Sequence, residues 1–341
     1  MALRLPRLLD PQTLRERARL QPVRMRLEQR LNRVATAALT LPRGAESVRL
    51  GDLAELFDGA GESAGLFRCY RLELNGRTGG QEAVFEHVMA FLGEEAHTGW
   101  SAPEGTSCAA ALASLLALQA VPRFVSGGAD FSVGCAYDLE PGSLLDAIRA
   151  VGATLPGDWM LRTDCAAFPW TLRLAALSQV PSCELRLRRN ILDVRSAADT
   201  RGLVTRVYPV GRDGLTLPEG FLDAPSVSEW GVRSRVIRDG SIRRVSHLRA
   251  FGQAALSRLS SPALSLRCSA ADLSSVTGEP LDRLRLGACC RVCTGPEGPV
   301  LTGCVSALTW PDLVSNPSLA TVWVARREPG ISEALGRDAR G

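Results

Sequence analysis

Alternation of apolar and polar residues is the feature of this sequence that most constrains its fold, and it is concentrated between Asp199 and Arg326. In the clearest run, 264–270, the even positions are apolar and the odd positions are polar. A period of two residues indicates a half-buried β-strand, because successive side chains point to opposite faces. Turn-forming residues, such as Gly-Pro-Glu-Gly at 295–298 and Asn-Pro at 316–317, separate the runs. Several short strands in succession predict a barrel or a sandwich.

The remainder of the chain is divided by the same criterion. Alternating runs between 23 and 92 predict a first β-rich region, whereas 98–190 mixes helical and extended patterns. Thr106 or Ser107 is expected to cap a helix that runs to Ala120, and Ser143 to cap a second helix that ends at Gly152. The predicted organisation is an N-terminal arm or first helix at 1–21, a first β-domain at 22–97, an α/β middle domain at 98–189, a second β-domain at 190–327 with a helical insertion at about 217–260, and a flexible tail at 328–341.

Composition excludes several classes of protein. At 341 residues, with 45% hydrophobic and 22% charged residues, the chain is expected to fold into two or three globular domains. All 40 basic residues are Arg, and the net charge of +4 is small for this length, so no specific nucleic-acid role is expected. Arg4, Arg7 and Asp10 interrupt any signal-peptide pattern, and no apolar run predicts membrane insertion.

The ten cysteines include one group that deserves testing as a metal site: Cys268, Cys289, Cys290, Cys293 and Cys304. Cys290 and Cys293 have the spacing of a zinc-binding pair, but three residues apart on a strand they would point to opposite faces. No second close pair follows. Buried thiols are therefore expected, with a zinc site or a disulfide between neighbouring strands as the alternatives, and no metal or other cofactor is predicted.

No catalytic residue is predicted from the sequence. The three histidines, His87, His97 and His247, stand outside any nucleophile-elbow, zinc-protease or phosphate-loop motif, and structural roles are expected for them. The adjacent acids Glu94 and Glu95 are too common a pattern to indicate a glycosidase.

A cluster of arginines is the best candidate for an interaction surface. Between 231 and 259 the sequence has seven Arg against one acid, Asp239. This excess predicts either a surface that docks an acidic partner or lines a channel, or simply a solvated face of a helix and hairpin. The candidate residues are Arg233, Arg235, Arg238, Arg243, Arg244 and Arg249.

Two sets of sequence runs, taken in order and spacing, carry a resemblance to a known family. The first set is 30–42, 48–57 and 65–68, and the second is 205–211, 230–231, 269–273, 286–287 and 316–317. Together they resemble the tail and baseplate hub proteins of bacteriophages and of phage-tail-like particles.

The resemblance implies a mainly β, α+β fold with two tail-tube-like β-barrel domains joined by an α/β segment, the second barrel being interrupted by the insertion. It implies a homotrimeric ring that adapts a hexameric tail tube to a trimeric spike, as in a contractile injection system. The implied partners are the tube, the spike, the tape-measure protein and other baseplate subunits. The implied location is the baseplate of the particle, after synthesis in the bacterial cytoplasm. No enzymatic activity is expected; the alternatives are a tail-associated cell-wall hydrolase and a glycan-binding protein of the tail tip.

Overall fold

The computed structural model describes residues 4–155, 157–240, 242–294 and 300–325. The elements before residue 98 are β1 (Arg7–Leu9), β2 (Glu16–Arg19), β3 (Arg24–Arg30), β4 (Thr36–Leu41), β5 (Leu53–Phe57), β6 (Ser63–Leu74), β7 (Gln81–His87), α1 (Phe91–Glu94) and β8 (Ala96–His97). Those of the middle of the chain are β9 (Trp100–Ser107), α2 (Cys108–Leu116), β10 (Phe124–Ala129), β11 (Gly134–Leu139), β12 (Gly142–Ser143), α3 (Leu144–Ala153), β13 (Trp159–Asp164), β14 (Trp170–Ala176) and β15 (Cys183–Arg186). The last group is β16 (Ile191–Asp199), β17 (Arg206–Val210), β18 (Leu222–Asp223), α4 (Val227–Trp230), β19 (Ser234–Arg238), α5 (Val245–Leu259), β20 (Ala263–Ala271), α6 (Ser274–Thr277), β21 (Cys289–Cys293), β22 (Val300–Trp310) and β23 (Leu319–Ala325).

A 13-stranded sheet combines strands from both ends of the chain. Its order is β16-β20-β23-β22-β3-β4-β7-β6-β5-β1-β2, with β21 and β15 attached beside β22. The two ends meet where β22 pairs antiparallel with β3, from Ala307 opposite Arg30 to Trp310 opposite Leu27. The sheet curls into a half-barrel, which confirms the predicted mainly β, tube-like class.

The apolar positions of the alternating runs form the core of this sheet. On β20, Leu266, Cys268 and Ala270 are buried, as their spacing predicted, and Arg267 is exposed. Leu27 on β3 and Leu308 on β22 belong to the same cluster, so the core continues across the junction of the two ends.

The middle of the chain forms a second core beside the large sheet. α2 and α3 pack with the small sheet β10-β14-β13 around Leu112, Ile148 and Trp170. Ser107 and Ser143 cap the two helices as predicted, each accepting a hydrogen bond from a backbone N–H of the first turn.

Both helix ends differ from the prediction. The first helix ends at Leu116 instead of Ala120, because the Gln119 side chain donates to the carbonyls of Leu116 and Phe124 and accepts from the Phe124 N–H. The second continues past Gly152 to Ala153.

The N-terminal residues are strands rather than a free arm or a helix. β1 pairs with β2 and with β5, and buries Leu8 completely. Arg7 forms ion pairs with Glu16 on β2 at 2.7 Å and with Glu55 on β5 at 2.8 Å. These long-range partners override the helical pattern of 13–20.

The predicted insertion is a small unit with its own core. β17, β18 and β19 form a three-stranded sheet, and α5 covers one face of it around Val207, Ile237 and Leu256. The alternation in β17 predicted that this strand belongs to the second β-domain. Instead it pairs in parallel with β19 in the small sheet of the insertion. Among the helices that the structure describes, none has the length and apolar character needed to span a bilayer. The predicted turn at 295–298 and the tail at 328–341 lie outside the described residues.

Candidate interaction surface

The small sheet β18-β17-β19 positions most of the clustered arginines. Residues of β19 alternate between its two faces, with Ile237 buried against α5 and Val236 and Arg238 exposed on the other side. Arg235 shares the inner face with Ile237 and is half-buried. These arginines therefore lie in one segment of the chain but not on one face of its sheet.

Two of the six predicted arginines have polar contacts within the chain, and a third is half-buried. Arg233 donates to the Thr200 carbonyl at 2.9 Å, and Arg249 forms an ion pair with Glu219. The Arg235 Nη1 atom is buried and has no hydrogen-bond partner among the described residues.

The other three arginines remain available to a partner. Arg238, Arg243 and Arg244 are exposed, and none forms an ion pair within the described part of the chain. Arg238 ends β19, and Arg243 and Arg244 directly precede α5, so the three lie at the two ends of the same short connection.

An apolar strip adjoins these arginines on the outer face of the sheet. Tyr208 lies directly opposite Val236, which is 54% exposed, and the Tyr208 ring is 5.9 Å from that of Phe221. Arg206 covers Phe221 at 3.8 Å and holds Asp223 in an ion pair that lowers the pKa of that carboxyl. We call the set Tyr208, Val236, Arg238, Arg243 and Arg244 the basic face. Residues of such a face combine apolar contact area with charge, as protein interfaces do.

The cysteine group lies on strands of the large sheet. Cys183 on β15 lies directly opposite Cys290 on β21, and both are fully buried. A hydrogen bond between the two thiols, together with burial, raises the pKa of Cys290 well above its usual range. Cys289 lies opposite Cys304 on β22. No three His, Cys, Asp or Glu side chains within the described ranges are placed to hold a metal ion.

The three histidines occupy unlike environments. His87 is buried; its Nδ1 accepts from the Met89 N–H at 3.2 Å, and its Nε2 lies 3.3 Å from the Thr163 hydroxyl. Burial lowers the pKa of His87 to about 4. His97 accepts from the N–H two residues later, whereas His247 is exposed and lies 3.7 Å from Glu104. The adjacent acids Glu94 and Glu95 separate, pairing with Arg68 and Arg123 respectively.

A cleft that no sequence pattern indicated lies between the large sheet and the middle region. It has a volume of about 750 Å³ and is lined by the first residues of β6 and the segment that follows β13. Arg162 and Phe168 lie on one wall, and Glu55 lies on the other. The residues that line this cleft come from segments far apart in the sequence, so no local sequence pattern could indicate it.

No sequence pattern predicted a second feature either, a buried ionic cluster around Arg283. Arg283, whose side chain is 7% exposed, contacts Asp58 at 2.8 Å and lies 3.9 Å from Asp272. Beside it, Arg189 pairs at 2.9 Å with Asp282, which is fully buried. The first contact joins the turn after β5 to the segment before β21, and so joins the two ends of the chain.

Comparison with known proteins places this fold among tail proteins of bacteriophages. A family model described as prophage endopeptidase tail matches residues 181–302. No curated protein matches the sequence.

Several solved structures share the fold over almost the whole chain. A tail protein from Neisseria meningitidis MC58 has a TM-score of 0.69 at 15% identity, covering 96% of this chain and 97% of that one. The prophage tail protein gp18 from Listeria monocytogenes EGD-e has a TM-score of 0.65 at 12% identity, with 99% of each chain covered. The 43 kDa tail protein of prophage MuSo2 from Shewanella oneidensis has a TM-score of 0.68 at 11% identity, covering 95% and 98%. The resemblance to phage tail and baseplate proteins is confirmed.

Proposed function

We propose that this protein is a baseplate hub subunit, three copies of which form a ring between a hexameric tail tube and a trimeric spike. The observation that carries the proposal is the match in fold over 95–99% of the chain to tail proteins of nearly the same extent. Tape-measure and other baseplate proteins would be further partners, and the subunit would act in the particle without catalytic turnover.

The open ends of the large sheet support a ring. The sheet ends at β2 and at the nine-residue strand β16, and no other described strand pairs with their outer sides. Unpaired strand edges are binding sites for another chain. Within one copy, β22 and β3 already join the two ends of the chain edge to edge. The same kind of contact between copies would close a ring around a channel.

Light scattering at several concentrations tests the ring directly. We expect a mass near three times 36.5 kDa. Lysines introduced at two exposed positions of β16, Leu192→Lys with Ala197→Lys, should oppose edge pairing and shift the mass towards the monomer. The matched control, Leu74→Lys with Gly76→Lys, adds the same two charges at exposed positions at the end of β6 and in the turn that follows it. A mass of 36.5 kDa at every concentration would contradict a ring formed by this chain alone.

An endopeptidase is the second candidate function, because the matched family carries that activity in its description. A cell-wall hydrolase should clear a suspension of purified cell walls, whereas a structural hub should leave its turbidity unchanged. Clearance by the purified protein would replace the structural proposal.

A glycan-binding role is the third. The exposed aromatic residues of the described chain, Tyr70, Phe168 and Tyr208, lie on three separate elements rather than on one platform. Binding of cell-wall oligosaccharides that Phe168→Ala abolishes would favour this role.

A further inference from the structure

We propose that neighbouring copies of this chain meet by a head-to-tail electrostatic contact, in which the basic face of one copy docks on an acidic ribbon of the next. The proposal rests on the homotrimer proposed above and adds a second contact between copies to the strand-edge pairing.

Charge is distributed unevenly along the chain. Residues 231–259 contain seven Arg and one Asp, a net charge of +6, whereas residues 93–150 contain seven Asp or Glu and two Arg, a net charge of −5. The whole chain has a net charge of only +4. A molecule that concentrates opposite charges in two segments presents complementary surfaces to its own copies.

Most acids of the negative segment are neutralised within the chain. Four form ion pairs with arginines: Glu94 with Arg68, Glu95 with Arg123, Asp130 with Arg173, and Asp146 with Arg149. Asp138 and Glu140 are exposed and form no ion pair with any described residue. The excess negative charge is thus concentrated at the end of β11.

These two carboxylates lie on an open surface. β9 and β11 form a two-stranded sheet, with Asp138 opposite Ser101 and Tyr137 opposite Ala102. Tyr137 is buried, so Asp138, the next residue of the strand, points away from the core, and Glu140 follows with the same alternation. We call Ser101, Asp138 and Glu140 the acidic ribbon.

The basic face is open in the same way. β19 is an outer strand of its sheet, and Arg238 and Val236 lie on the face that α5 does not cover. Within one copy, His247 of the positive segment lies 3.7 Å from Glu104 of the negative segment. Among the described residues, Arg238, Arg243, Arg244, Asp138 and Glu140 form no ion pair. A contact between two different surfaces of identical chains generates a closed ring when the rotation per copy divides a full turn.

The contact predicts a salt-dependent assembly. At an ionic strength of about 0.15 M, charges are screened over about 8 Å, and over about 3 Å at 1 M. The protein concentration needed to form the trimer should therefore rise as salt is added.

A charge-swap experiment on the full chain tests the pairing. Arg243→Glu with Arg244→Glu, and separately Asp138→Arg with Glu140→Arg, should each raise the concentration at which half the chains are trimeric by about tenfold or more, since like charges then face each other. The four changes combined should restore assembly. The matched control for the arginine variant is Arg43→Glu with Arg77→Glu, which changes the net charge by the same amount at exposed sites outside both surfaces.

Circular dichroism and thermal unfolding establish that each variant is folded. A wild-type trimer that all charge variants preserve would overturn this contact and leave the trimer standing. A wild-type protein that remains monomeric would contradict the trimer itself, and the contact with it. Failure of the combined variant to regain assembly would show that the two surfaces do not face each other.

Discussion

His87 illustrates how burial sets the chemistry of a single residue. Its ring packs edge-on against Phe67 at 5.3 Å and has Thr163 and the Met89 N–H as its polar neighbours. None of these groups is negative, so nothing nearby stabilises a protonated ring, and burial lowers the pKa to about 4 from 6.5. The side chain is therefore neutral at physiological pH and suits a structural role.

This neutral histidine predicts sensitivity to acid. Between pH 6.5 and about pH 4, His87 is protonated in the unfolded chain but still neutral in the folded chain. The neutral His87 therefore contributes fully to the free energy of unfolding above pH 6.5, and this contribution decreases as the pH falls towards 4. The loss should reach about 3 kcal/mol. In His87→Asn, whose amide oxygen can still accept from the Met89 N–H, the free energy of unfolding should fall less steeply over this range. Urea titrations at several pH values measure it, and His247→Asn is the exposed control. Equal slopes for wild type and His87→Asn would contradict the assignment.

At the scale of elements, the start of α3 keeps in the folded protein the cap that its local sequence predicts. Ser143 accepts from the Asp146 N–H at 3.1 Å, and its hydroxyl donates to the Asp146 carboxylate at 2.8 Å. The helix behind this cap buries Leu144, Leu145 and Ile148. The cap satisfies a backbone donor that the helix leaves without a partner.

Removal of the cap should destabilise the protein measurably. Ser143→Ala should lower the free energy of unfolding by about 1 kcal/mol, because the Asp146 N–H loses its acceptor. Ser143→Thr retains both the acceptor and the hydroxyl donor and should lose much less. Both values come from urea unfolding followed by circular dichroism, and an equal loss for the two variants would mean that the cap is not the cause.

Local signals of this kind account for what the sequence predicted. The alternation around Leu266 and Cys268 and the caps at Ser107 and Ser143 depend on neighbours a few residues away, and the structure has them as expected. The N-terminal strands could not be predicted in the same way, since Arg7 is fixed by Glu55, 48 residues further on. The six clustered arginines could be predicted only as a segment, because which of them are engaged within the chain depends on distant partners such as Thr200 and Glu219.

At the scale of the whole molecule, a buried ion pair fastens the two ends of the chain together. Burial raises the pKa of Asp58, and the guanidinium of Arg283 acts in the opposite direction. The Asp58 carboxylate also accepts from the N–H groups of Ala60 and Glu62, both at 3.0 Å, so the turn after β5 is built around it. Such a pair adds little by itself, but loss of one partner leaves a buried charge without compensation.

Arg283→Met should therefore be strongly destabilising. The expected loss is about 3–5 kcal/mol, because Asp58 and Asp272 remain buried without their cation. Arg285→Met is the matched control: that side chain is 60% exposed and pairs with Glu62, so its removal should cost about 1 kcal/mol or less. Chemical unfolding measures both, and similar small losses would show that water reaches the Arg283 cluster.

The pairing of β3 with β22 has a consequence for synthesis on the ribosome. Residues 27–30 find their partners only when residues 307–310 have emerged, so one side of β3 stays bare while most of the chain is being translated. Contacts so distant in sequence slow folding, and a bare strand invites association between nascent chains. Yield of native protein should accordingly depend on temperature and on chaperones during expression more than the stability of the finished fold would suggest.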